Sequence, residues 1–97
     1  MKLLERPELT PLQMGGSMKI IQIEGRAGMR MPPHYSSQEA VLLVQQGLAL
    51  LGMPDSEHKL RPGDTFIIPA KKEHTLIIKQ DFKALAIMGL KSEINFI

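Results

Sequence analysis

From Met18 onward the chain is a succession of short strand-forming runs, MKIIQI, VLLV, LALLGM, TFII, TLII and FKALAIM, each closed off by Gly, Pro, Asp or Ser. No window carries a persuasive apolar period of about 3.6 residues. Helix competes best over residues 37–51, SQEAVLLVQQGLALL, whose Gln, Glu, Ala and Leu suit a helix, but Gly47 interrupts that run. Pro62 and Gly63 sit at the centre of Leu60–Asp64, where proline presets φ at about −65° and glycine accepts a positive φ. This turn places a strand entrance at Thr65. Gln80-Asp81, between TLIIK and FKALAIM, predicts a further short hairpin. Six or more strands without βαβ alternation predict an all-β sandwich or barrel.

With 97 residues the chain has room for one core, so residues 18–97 are read as a single domain. Residues 1–17 read as an extended N-terminal arm, with Pro7 and Pro11 between small apolar clusters and Gly15-Gly16-Ser17 as a hinge. Twelve Lys and Arg are scattered among ten Asp and Glu, so no phosphate-tracking patch forms and nucleic acid is excluded as an expected partner. There is no cysteine, which removes disulfides and thiol chemistry. The opening MKLLERPELT lacks the apolar centre of a signal peptide, and no apolar run reaches the ~20 residues of a membrane helix. The expected location is the cytoplasm, with no membrane partner.

Two histidines carry the functional signal. Gly28, His34, Ser36, Ala40 and Gly47, followed by Gly63, Pro69, Lys71, His74 and Ile78, fall without a gap on the spacing G-x5-H-x-H-x3-4-E-x6-G and G-x5-P-x-G-x2-H-x3-N. That two-part pattern resembles the signature of the cupin superfamily, over about residues 18–90. The resemblance implies a small jelly roll, or double-stranded β-helix, commonly paired as a homodimer. It favours two strands joined by a tight turn at Gly47 over a helix. It also implies a site of three histidines and one carboxylate on a divalent transition metal, here Fe, Mn, Ni or Zn. In this register Ser36 stands where the second histidine would be and Ala40 where the glutamate would be. A second register takes His34 as the second histidine and Pro32 as the first, and brings in Glu39 as the carboxylate through a β-bulge.

Strand parity extends the site. Residues two apart share a face, so Ala40, Leu42 and Val44 are expected to point inward, as are His74, Leu76 and Ile78. His34, Ser36, Ala40, Leu42, His74 and Leu76 are therefore the candidate ligand-binding residues, and His34, His74 and Glu39 the candidate metal ligands. The plain alternative for each histidine is a core residue with one hydrogen bond, and for Ser36 a loop residue. Tyr35 falls on the opposite parity to His34, Lys71 and Lys72 read as solvated loop charges, and His58 reads as a surface histidine. Of the seven methionines, Met29, Met31, Met53 and Met88 could give a pocket adaptable walls.

Two functions from different classes follow. One is a small-molecule binding module with little or no metal. The other is a metal-dependent enzyme of dioxygenase, isomerase or decarboxylase type acting on a small acid or sugar derivative. In both, VLLV and TLII offer apolar residues on both faces of a strand, which a second subunit of a homodimer would cover.

Overall fold

The computed structural model describes residues 6–97, and these form eight strands and no helix. They are β1 (Glu8–Met14), β2 (Met18–Gly25), β3 (Arg30–Ser36), β4 (Ala40–Met53), β5 (Ser56–Leu60), β6 (Thr65–Ile68), β7 (His74–Gly89) and β8 (Ile94–Phe96). All pairings are antiparallel, in the order β1-β2-β7-β3-β8, with β4 joined to β5, β6 and β7. The sheet curls into a half-barrel of jelly-roll type, and the core lies inside the curl. None of the described residues forms a helix long and apolar enough to cross a membrane.

β4 and β7 make the frame. They pair along nearly their whole lengths, so the hairpins expected at Gly47 and at Gln80-Asp81 are not reversals of the chain. Register shifts between Val44 and Ala49 mark bulges, with Gly47 at φ 89°. The inward residues of β4 are Ala40, Leu42 and Val44 before the bulges and Ala49 and Leu51 after them, so the parity flips. A flip of that kind is the mark of an inserted residue. β7 keeps even parity throughout, from His74 to Met88, although Lys79, Gln80 and Asp81 are exposed at the bend. Each long strand thus serves both halves of the sheet: β7 holds β3 on its first half and β2 on its second.

The stretch read as an arm belongs to the barrel. Residues 8–14 are β1, paired with β2, and Leu9 packs partly buried against the core. Pro11 is tolerated because β1 is an edge strand, where a missing N–H breaks no inner ladder, and the register shifts just after it. Residues 1–5 of the expected arm lie outside the described residues. The turn at Arg61–Asp64 forms as expected: Gly63 has φ 89°, the Asp64 N–H donates to the Arg61 carbonyl at 2.9 Å, and β6 begins at Thr65.

The outward side of the sheet carries a cross-strand row. Ile67, Val41, Ile87 and Ile20 are successive partners across β6, β4, β7 and β2, and Leu43 pairs with Leu85 in the next row. Their chain neighbours Ile68, Ala40, Leu42, Ala86 and Met88 are buried inside, so these six point outward, and Ile67 is 60% exposed.

Candidate functional site

Two local irregularities build the site. Pro32 and Pro33 lie within β3, and the register to β7 shifts between Met31 and His34 because proline cannot donate to the ladder. The Pro32 carbonyl is thereby free to accept a hydrogen bond from Nδ1 of His34 at 2.8 Å. In the turn before β7, Lys71 adopts φ 62°, a left-handed conformation unusual outside glycine, and its N–H donates to the Ser36 carbonyl at 2.7 Å. The chain then turns so that the Lys72 carbonyl accepts from Nδ1 of His74 at 2.9 Å. The glycine that the signature favours at position 71 is accounted for by this φ. Lys71→Gly should therefore stabilise the fold by about 0.5–1 kcal/mol, since relief of left-handed strain exceeds the added chain entropy. Urea denaturation checks it, and no gain in midpoint would show that the loop bears no strain.

His34 and His74 are direct cross-strand partners, with ring centroids 4.1 Å apart in an edge-to-face arrangement. Both are only 4% exposed. Phe96 of β8 pairs opposite His34 and places its ring 5.3 Å from it, and the Arg6 guanidinium lies over the Phe96 ring at 4.4 Å. Desolvation dominates the electrostatics of both imidazoles. It lowers His34 to about 4 against the raising effect of the Pro32 hydrogen bond, with small further lowering by His74 and Arg6. It lowers His74 too, against the hydrogen bond to Lys72. Both rings are neutral at pH 7.

The imidazoles border a half-open pocket of about 40 Å³. The structure brings His34, Ser36, Ala40, Leu42, His74 and Leu76 together around it. It does not bring Glu39. That side chain is exposed because Ala40, its neighbour, takes the inward position and β4 has no bulge there to reverse the parity. Among the described residues no three or more His, Cys, Asp or Glu converge. Tyr35 is half-buried on the face opposite His34, and Lys71 and Lys72 are exposed. His58 differs from expectation: it pairs opposite the buried Leu51 and lies half-buried with its ring 4.7 Å from that of Phe66, away from the cavity. Met31 and Met88 line the cavity, whereas Met29 and Met53 pack partly buried against the core and do not line it. Sequence reasoning missed Leu9 and Ile94 as lining and Phe96 as a stacking partner. Parity within β1 could have revealed Leu9. A three-residue strand such as β8 carries no periodic signal.

Residues 23–88 match the family model described as Cupin domain. No curated protein matches the sequence. Among solved structures, a cupin superfamily protein from Desulfitobacterium hafniense is 22% identical, with TM-score 0.80 over 94% of this chain and 84% of that one. A cupin-2 domain protein from Shewanella frigidimarina is 17% identical, with TM-score 0.73 over 92% and 84%. DMSP lyase DddQ from Ruegeria pomeroyi is 22% identical, with TM-score 0.83 over 94% of this chain and only 51% of that one. At these identities the likeness is one of fold.

Proposed function

This chain belongs to the cupin-domain family, and from that premise we propose that it binds a small molecule in the barrel cavity through His34 and His74, without a resident metal ion. The observation that supports this reading is the donor set. Cupins often hold transition metals, but here the cavity offers two imidazoles, the neutral hydroxyl of Ser36 and the methyl of Ala40. Firm transition-metal sites supply three or more good ligands, and an un-ionised hydroxyl is a poor one. The residues present do not fit the group, so no chemical step is derived through it.

Elemental analysis of protein purified without a histidine tag tests the reading. Substoichiometric metal is expected, and a full equivalent that disappears in His74→Ala would overturn it. The double variant Ser36→His, Ala40→Glu, which refills both vacant corners of the same cavity, should take up Ni²⁺ or Zn²⁺ and show metal-dependent thermal stabilisation. Equal stabilisation of the unaltered protein by either metal would count against the metal-free reading.

A homodimer is part of the proposal, and the outward row of Ile67, Val41, Ile87 and Ile20 with Leu43 and Leu85 is its centre. Four strands ~4.8 Å apart in one row and two of them in the next, ~7 Å away, make an uncharged apolar patch of roughly 200 Å². That suits the middle of a standard interface of about 800 Å² per partner, with the flanking Gln22 and Thr65 as rim. A two-fold contact needs one surface only, and an aliphatic row is complementary to itself. Light scattering at micromolar concentration should give a dimer, and Ile87→Lys a folded monomer by circular dichroism. A monomeric unaltered protein would remove the claim.

A further inference from the structure

Resting on the reading that the cavity binds a small molecule, we infer that its ligand enters as a hydrogen-bond donor: an alcohol, phenol or amide rather than a carboxylate or phosphate. Two backbone carbonyls fix the tautomers of the rings. The oxygens of Pro32 and Lys72 can only accept, so the Nδ1 atoms 2.8 Å and 2.9 Å from them carry the ring hydrogens of His34 and His74. A neutral imidazole has one such hydrogen. Each Nε2 is then a bare lone pair, and no protein group among the described residues donates to it.

The rings are cross-strand partners with centroids 4.1 Å apart, and both line a pocket whose other walls are aliphatic side chains, the thioethers of Met31 and Met88 and the Ser36 hydroxyl. Each lone pair keeps some contact with solvent at the pocket, and a donating ligand replaces that water with a net hydrogen bond worth about 0.5–1.5 kcal/mol. A carboxylate or a fully ionised phosphate brings only acceptors. It would face two lone pairs in a largely apolar pocket, with the Ser36 hydroxyl as the one side-chain donor of the lining and neither ring charged to compensate. Burial of both rings keeps them neutral, in accord with the same conclusion.

Size narrows the class further. A cavity of about 40 Å³ accommodates a polar tip of a few heavy atoms, well below the ~300–1,000 Å³ of clefts for larger ligands. Met31 and Met88, flexible walls of the same cavity, set how much more of a ligand can follow.

Acetamide and acetate form a matched pair of the right size, one with an N–H donor and the other with acceptors only. Long-range ¹H–¹⁵N spectra of the intact protein at pH 7.5 should first show Nδ1 protonated and Nε2 bare on both His34 and His74. Titration should then move both Nε2 resonances with acetamide, which is expected to bind at least roughly tenfold tighter than acetate, the equivalent of one net hydrogen bond. His34→Phe should abolish that preference. Protonated Nε2 atoms, or acetate binding as tightly as acetamide, would overturn the inference while leaving small-molecule binding intact. The expected tautomers with neither probe bound would instead overturn the binding reading, and this inference with it.

Discussion

Gly47→Ala is expected to be the most damaging single-methyl substitution among the glycines of this barrel. Two costs coincide at that position. Gly47 has φ 89°, where an L side chain is strained by about 1–2 kcal/mol. A Cβ there would also run into the carbonyl oxygen of Asp81 and lie 2.7 Å from Cα of Phe82. Those are backbone atoms of β7 at its bend, so no side-chain rotation relieves the collision, and overpacking of this kind adds about 1–3 kcal/mol. The sum of about 2–5 kcal/mol should lower the melting temperature by roughly 10–30 °C in a domain of this length. Gly28 and Gly63 supply the control. Their φ values are 97° and 89°, but a Cβ at either meets nothing within 4 Å. Gly28→Ala and Gly63→Ala should therefore cost only the conformational share, about 1–2 kcal/mol. Equal losses at all three positions, read from thermal or urea unfolding, would show that close approach of β4 to β7 does not set the bend.

The same glycine shows why part of this fold was legible and part was not. Alternation fixed the inward faces of β4 and β7 wherever it ran unbroken, through Ala40, Leu42 and Val44 and through His74, Leu76 and Ile78. A hairpin and a bulge both place glycine at positive φ, however, so residues 44–48 alone do not separate them. The distinction lies in the partner strand, whose exposed Lys79–Asp81 segment bends opposite Gly47 without turning back. β3 is missing from the strand-forming runs for a different reason, although strand parity already set Tyr35 opposite His34. Adjacent prolines argue against a strand, yet here their missing N–H groups lie at a bulge that the sheet tolerates and the site uses. Spacing brought His34, Ser36, Ala40 and His74 into one pocket. It could not give the tautomers, which depend on the directions of the Pro32 and Lys72 carbonyls and hence on tertiary geometry.

Acid should unfold this protein earlier than an ordinary barrel of its size, and His34 supplies the largest identified part of the effect. Its ring is held to about 4 in the folded state, against 6.5 for an unperturbed histidine. Above pH 6.5 both folded and unfolded states keep the ring neutral, so stability is insensitive to this group. As pH falls from 6.5 toward 4 the unfolded chain takes up a proton that the folded chain refuses, and stability declines across that window. Below 4 both states are protonated and the loss is complete, at about 3 kcal/mol from the 2.5-unit difference. His74 is lowered by the same burial and steepens the fall. Protonation of His34 also sets a cation 4.1 Å from the centroid of His74 and within the field of the Arg6 guanidinium, which opposes it. Urea unfolding at steps from pH 7.5 to 4 should give a flat region and then a decline of at most about 1.4 kcal/mol per pH unit for each titrating ring. His34→Gln removes one of them and should flatten the decline even where it lowers stability at neutral pH. An unaltered slope in that variant, or constant stability down to pH 5 in the unaltered protein, would mean that the imidazole is not shielded from water as the structure places it.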